Sequence, residues 1–284
     1  MALGIGVSEA TIKRWCDQGK LETLRTEGGH RRIPMHAVLS FLKKGGHKLI
    51  NPEVLNLPLH TGKSDASLRR VTEDMVKALS EGNLPGFRRL VYNLVLANRT
   101  LVEICDNAIA PAFIEIGERW HENELGIYQE RRACQICAQV IFDLQQTLPP
   151  TKPNAPLAIG GTFSSDQYEL ATLMVELCLM EAGWNAKNLG CNLPPETYLK
   201  AIKDLKPNLI WFSVNHPKSE ESFLNDYRHI YDQTKDSGVP IAVGGQALRR
   251  ELRSQMQYGI FCDQIHHLID FTKRIKFKDR EHID

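Results

Sequence analysis

Three stretches of this 284-residue chain carry residue types and spacings that could do chemistry. The first is the polar turn 163–166 and its continuation, SSDQYELA, which sets Asp166, Tyr168 and Ala171 between an apolar stretch at 156–162 and a helical stripe of Leu170, Leu173, Met174, Leu177, Leu179 and Met180. In an open α/β sheet the turn that leaves a strand's carboxyl end is where ligands sit, so these residues are candidates for holding one. The second is a basic segment. Residues 11–48 carry Lys13, Arg14, Lys20, Arg25, Arg31, Arg32, Lys43, Lys44 and Lys48 against only Asp17, Glu22 and Glu27. Such local basicity is the electrostatic footprint of phosphate binding. The third is Cys134-x-x-Cys137, which falls inside a helical pattern with no further zinc ligand nearby and so reads as packing. No nucleophile elbow, phosphate-cradling glycine loop or paired metal motif stands in the sequence, which argues against an enzyme.

The bulk composition narrows the class. Hydrophobic residues make up 42%, enough for a core, and the net charge of +1 does not mark the chain as a general polyanion binder. Seven cysteines, an odd number and scattered, with no secretory leader, imply a soluble, reduced, cytoplasmic protein. No apolar run approaches the ~18 residues of a membrane span.

The elements that must position these residues fall into three segments behind one another. Over residues 1–44, Ser8 is an N-cap for a helix to Cys16 with Ile12 and Trp15 facing inward, and Gly19 stops it. LETLRTEGGHRRIP then reads as strand, Gly-Gly turn, strand, and MHAVLSFLKK as a second helix. Helix, basic hairpin, helix is a winged DNA-binding arrangement. The first helix would enter the major groove of a double-stranded operator, and the hairpin tip would touch phosphates or the minor groove. The candidate contacts are Ser8, Thr11, Lys13, Arg14, Arg25, Thr26, His30, Arg31 and Arg32. Residues 45–66, rich in Gly, Pro and Asn without periodicity, read as a linker. Amphipathic stretches at 67–81, 85–97, 99–118 and 126–147 predict an antiparallel four-helix bundle over 67–150. Over 155–277, strands at 156–162, 186–190, 208–214, 240–244 and 259–262 alternate with helices at 166–182, 195–204, 219–236, 246–257 and 264–275. That alternation predicts a flavodoxin-like α/β domain with a five-stranded parallel sheet.

Several of these motifs resemble known families. Gly6-Val7-Ser8, Thr11, Trp15, Gly19, Leu21, Arg25-Thr26, Gly28-Gly29-His30-Arg31-Arg32, Val38 and Phe41-Leu42 match the winged helix-turn-helix of MerR and excisionase type. That family has a full first helix before the match, where Met1–Ile5 stand here. The order winged helix, bundle, α/β domain resembles the CarH/LitR group of cobalamin-dependent photoreceptor repressors, carried by IAPAFIEIGERWHENELGIYQER in the bundle and by LCLMEAGWNAKNLGCNLPPETYLKAIKDLKPNLIWFSV in the sheet domain. The resemblance implies a bundle Trp over the cofactor's upper face, here Trp120, followed by a Glu-His pair, here Glu130-Arg131. It implies an Asp-x-His-x-x-Gly turn below the corrin, here Asp166, Tyr168 and Ala171. It also implies nucleotide-tail contacts at Ser213, Asn215, Gly244 and Gly245.

Both cobalt-binding histidines of that template are replaced. Phenol binds metal only as phenolate, with an ordinary pKa near ~10, and guanidinium has no lone pair to offer. Three readings of the pocket stay open: cobalamin without His ligation, another tetrapyrrole or an anionic small molecule paired with Arg131, or no ligand in a fixed assembly module. His216 and His121 are the histidines considered as substitutes, and Cys191 lies at a strand's carboxyl end. The resulting expectation is a transcription regulator that forms a homo-oligomer, dimer or tetramer, without the group's His-trapped light response. The alternatives are a protein-binding antagonist of another regulator and a corrinoid carrier of a methyltransferase.

Overall fold

The computed structural model describes residues 1–45, 47, 49–55, 57 and 68–275. It divides into two compact units, Met1–Pro150 and Thr151–Asp284.

The first unit begins with α1 (Ala2–Ile5) and α2 (Glu9–Asp17). Ser8 caps α2: its hydroxyl accepts the Thr11 N–H at 3.2 Å and lies 3.0 Å from the Thr11 hydroxyl. The C-terminus closes with the Lys20 N–H on the Trp15 carbonyl and the Gly19 N–H on the Cys16 carbonyl, a pairing that needs the left-handed φ of +68° at Gly19. Strands β1 (Leu24–Arg25) and β2 (Arg31–Arg32) pair antiparallel, Leu24 with Arg32 and Arg25 with Arg31. Helix α3 (Met35–Gly45) buries Ala37, Val38, Leu39 and Leu42, and its Phe41 ring lies 4.9 Å from Trp15 of α2. The winged arrangement is as the sequence predicts.

The described part of 45–66 packs on α1. Pro52–Leu55 forms a 3₁₀ turn over α1. The Ile50 N–H donates to the Gly4 carbonyl at 2.8 Å, the Asn51 amide donates to the Leu3 carbonyl at 3.0 Å, and Leu55 is buried. A Cβ on Gly4 would come within 2.7 Å of Leu55, so the contact is close. Leu57 is buried as well, while Ile50 and Val54 stay exposed. The rest of that stretch, and residues 276–277 of the predicted α/β domain, lie outside the described residues.

The bundle comprises α4 (Leu68–Ser80), α5 (Leu84–Leu96), a third helix in two parts, α6 (Leu101–Ile104) and α7 (Ala110–His121), and α8 (Ile127–Gln145). Between α6 and α7, Cys105–Ile109 form a π turn in which the Ala110 N–H bonds the Cys105 carbonyl. Pro111 explains it. Proline has no N–H, and in α register its ring meets the carbonyl four residues back; the wider turn relieves both. The sequence predicted an uninterrupted helix here. Met75, Leu79, Phe87, Val91, Ile104, Ile109, Ile116 and Ile141 fill the bundle core.

The second unit holds β3 (Leu157–Gly161), α9 (Leu170–Glu181), β4 (Asn185–Asn188), α10 (Pro195–Leu205), β5 (Leu209–Ser213), α11 (Glu220–Thr234), β6 (Ile241–Gly244), α12 (Arg250–Arg253), β7 (Ile260–Cys262) and α13 (Ile265–Thr272). The five strands are parallel in the order β4-β3-β5-β6-β7. One face packs Ile159, Ile210, Phe212 and Val243 against Tyr198 of α10 and Phe223, Tyr227 and Ile230 of α11. The other packs Ala158, Leu209, Trp211 and Ala242 against Leu179 of α9 and Leu268 of α13. On that face the Trp211 indole donates to the Thr172 hydroxyl of α9 at 2.7 Å, both buried. The fold is the flavodoxin-like one the sequence predicts.

Two helices are shorter than predicted. The first starts at Leu170 rather than 166, and the stretch 246–257 holds only α12. In both places the missing turns are pinned elsewhere, as described next.

Candidate functional site

In the strand order β4-β3-β5-β6-β7 the direction of winding reverses between β3 and β5. The crevice outside the carboxyl ends of strands at such a reversal is the usual ligand position in this architecture. The loops after β3 and β5 meet there on Asp166, which is fully buried. One of its carboxylate oxygens accepts the backbone N–H groups of Asn215 at 2.6 Å and His216 at 3.1 Å, and the other accepts the Tyr168 N–H at 3.1 Å. Asp166 thus ties the two loops together through their backbone. Its acceptor sites hold backbone, and the first turn of the predicted helix is sacrificed to place it.

The surrounding loops are tied to the same point. The Asp166 carbonyl accepts from the Thr162 hydroxyl at 2.5 Å and from the Asn192 N–H at 3.0 Å, and the Tyr198 hydroxyl donates to the Thr162 carbonyl at 2.9 Å. Burial, with the Asp166 charge added, pushes the Tyr198 phenol well up. Ser165 and Asn192 both sit at positive φ, +72° and +56°, and the Ser165 N–H donates to the Asn192 side chain at 2.7 Å. Paired backbone strain of this kind is held only where the surroundings over-determine it, and it concentrates at ligand sites. Thr162 and Asn192 were not singled out from the sequence. The one available signal was Asn192 itself, since Asn tolerates the left-handed region.

The remaining sequence candidates cluster at this edge. Asn215 donates from its side-chain amide to the Ser213 hydroxyl at 3.1 Å and accepts the Gln246 N–H at 3.4 Å. Gly245, at φ +114°, has no room for a side chain: a Cβ would lie 2.2 Å from the Val214 carbonyl. A Cβ on Gly244 would lie 2.8 Å from the Cys262 carbonyl. The Ala247 N–H bonds the Val214 carbonyl, which holds 246–249 out of helix and accounts for the short α12. Ala171 lies half-buried in the first turn of α9. The Tyr168 ring packs on the exposed His216 ring, centroids 4.4 Å apart and planes inclined by 36°. Burial, then the charge of Glu169 with a smaller push from Asp166, raises the Cys191 thiol.

In the bundle, Trp120 ends α7 half-buried against the His121 ring, centroids 4.8 Å apart. Glu130, buried in the first turn of α8, accepts from the Cys134 thiol at 3.4 Å and pairs with the Arg131 guanidinium at 3.5 Å. Burial and the adjacent Glu130 charge push the Cys134 thiol up to about 12. Arg131 is thus held by its neighbour on α8.

In the winged helix, Thr26 and His30 close the hairpin: the Thr26 N–H bonds the His30 carbonyl at 2.9 Å and its hydroxyl donates to the same oxygen at 3.3 Å. Arg31 does not project alone. Its guanidinium pairs with Asp17 at the end of α2, 2.6 Å away, and fixes the hairpin against that helix. Lys13, Arg14, Arg25 and Arg32 are exposed, while Ser8 and Thr11 are engaged in the cap.

Residues 1–46 match a helix-turn-helix domain, and residues 71–142 and 156–263 match two B12 binding domain families. The three segments of the chain are thus similar, in order, to a helix-turn-helix domain and to two B12 binding domain families. It is 26% identical over 159 residues to the HTH-type transcriptional repressor CarH of Myxococcus xanthus, covering 56% of this chain and 52% of that protein, so the match spans about half of the repressor's length. It is 22% identical over 180 residues to the trimethylamine corrinoid protein of Methanosarcina barkeri, covering 61% of this chain and 81% of that one. Among solved structures, the M. barkeri monomethylamine corrinoid protein superposes with a TM-score of 0.62 at 15% identity, over 74% of this chain and all of that one. That likeness is one of fold.

Among the described residues no group of three or more His, Cys, Asp or Glu side chains is placed to chelate a metal.

Proposed function

We propose that the protein is a DNA-binding transcription regulator whose bundle and α/β domain bind cobalamin or a related tetrapyrrole, with occupancy controlling self-assembly and hence operator binding. The observation that carries this reading is the joining, in one chain, of a winged helix bearing a basic hairpin to both parts of a B12-binding unit. Affinity for DNA comes from Lys13, Arg14, Arg25 and Arg32 on phosphates, with Arg31 setting the pose of the hairpin. Cobalamin is retained without a histidine in the β3–α9 turn, and no light-triggered bond forms at Arg131, which offers no lone pair. The cognate DNA and the sign of regulation follow from the test. Purified protein retards duplex DNA from its own promoter, binding weakens steeply with salt, and added cobalamin shifts both the affinity and the oligomer mass. Loss of salt-sensitive binding to any promoter fragment would remove the regulator reading.

A second reading, a corrinoid carrier in a methyl-transfer system, is favoured by the alignment with 81% of the trimethylamine corrinoid protein. It leaves the winged helix without a role. Methyl transfer to or from the corrinoid-loaded protein would establish it.

A further inference from the structure

We propose that His216, on the loop after β5, supplies the protein nitrogen that binds the cobalt of a corrinoid seated at the switch point. This deepens the corrinoid reading above and rests on it.

The argument is one of elimination around the crevice followed by geometry. The Asp166 carboxylate is buried and carries three backbone N–H groups, so it cannot turn to a metal without unmaking both loops. The Glu169 carboxylate accepts from the Asn188 amide at 3.3 Å. A cysteine binds metal as the thiolate, and Cys191 is pushed the other way by burial and by Glu169. The Tyr168 ring is packed on His216. His216 is different in kind. Its imidazole suits cobalt and related transition metals, and it is exposed at the crevice.

His216 is also held in place. Its own N–H is fixed by Asp166 at 3.1 Å, and its ring lies against Tyr168 with centroids 4.4 Å apart. Backbone and ring together limit its rotamers, as a metal ligand requires. Tyr168 becomes a positioning residue: it stands in the turn after β3 and braces a donor delivered from the turn after β5. The bond is a coordinate one. The imidazole lone pair enters cobalt's axial site, a bound water leaves, and the proton on the other ring nitrogen stays.

The test uses cobinamide, a corrinoid that lacks the nucleotide base and so cannot supply an axial nitrogen of its own. The full chain is loaded with cobinamide, reduced chemically to Co(II), and read by electron paramagnetic resonance. One axial nitrogen splits each cobalt line into three. We expect the threefold splitting in the unaltered chain and in the Tyr168→Phe variant, its loss in His216→Ala and His216→Gln, and its return in His216→Ala on adding imidazole. His216 is exposed, so circular dichroism of both His216 variants should match the parent. Binding of cobinamide without the splitting, or splitting that survives in His216→Ala, overturns the assignment while leaving corrinoid binding intact. Failure of both cobinamide and cobalamin to bind overturns the assignment together with the reading beneath it.

Discussion

Asp166 shows how a side chain can be conspicuous in sequence for one reason and matter in the fold for another. A buried carboxylate with three backbone donors joins two loops whose residues stand 49 and 50 positions apart. Asp166→Asn keeps the shape but turns an amide NH₂ toward N–H groups. By the usual cost of a buried donor without its acceptor, it should lose about 2–4 kcal/mol. Urea unfolding followed by the fluorescence of Trp184 and Trp211 checks this, and an unchanged midpoint would deny Asp166 its anchoring role. The arginines of the hairpin separate in the same way. Arg32→Ala should lower the slope of log affinity against log salt by about 1, as loss of one phosphate contact does. Arg31→Ala should lower affinity through the freed hairpin, and Asp17→Ala should reproduce most of that loss, since the two side chains form one pair. Equal behaviour of the Arg31→Ala and Arg32→Ala proteins in a salt titration would count against that distinction. Basic charge was legible in the sequence, but which arginine forms an ion pair depended on a partner on another element.

Periodicity located nearly every helix and strand, and it failed where backbone is held by something other than its own element. The first turns predicted for α9 and α12 are consumed by Asp166 and by the Val214 carbonyl, and Pro111 forces a π turn that an amphipathic pattern does not reveal. The third bundle helix begins at Leu101, two residues beyond the predicted 99, where its capping chemistry is complete. Thr100 and Glu103 form a capping box, with Glu103 accepting the Thr100 N–H at 2.9 Å and Thr100 accepting the Glu103 N–H at 3.1 Å. The Thr100 backbone N–H, before other contributions, holds the Glu103 carboxyl below its ordinary 4.5. A depressed carboxyl stabilises the fold above its unfolded pKa, and that contribution disappears as the pH falls through the folded one. Glu103→Ala, which removes that carboxylate while leaving the Thr100 hydroxyl cap in place, should therefore destabilise the fold at neutral pH. The difference between variant and parent should shrink on acidification below 4.5, as thermal melts across that range would show. A constant difference would place the stabilisation elsewhere than in this carboxylate.

In the proposed regulator, ligand and DNA act on one chain, so their energies would be linked. Cobalamin at a hundred times its Kd should stabilise the protein by about 2.7 kcal/mol, visible as a rise in Tm that grows with ligand concentration. If occupancy changes operator affinity by some factor, operator must change cobalamin affinity by the same factor, typically between about 5 and 150. Titrating cobalamin with and without the operator duplex measures one side, and titrating DNA with and without cobalamin measures the other. Unequal factors would show that the two binding events report on different molecules or assemblies.

By itself the sequence determined the kinds of domain and their order. Apolar spacing, caps and turn residues act over a few positions and are written locally, and the winged helix, the bundle and the alternating strands all follow from them. It also brought Asp166, Tyr168 and His216 to notice one at a time. Only the tertiary structure decided what they do to one another. The reversal of strand order between β3 and β5 places two loops side by side, so Asp166 closes on the backbone of Asn215 and His216, and the Tyr168 and His216 rings meet. Contacts across some fifty residues depend on how strands are ordered in the sheet, and strand order leaves no local mark on the residues it joins.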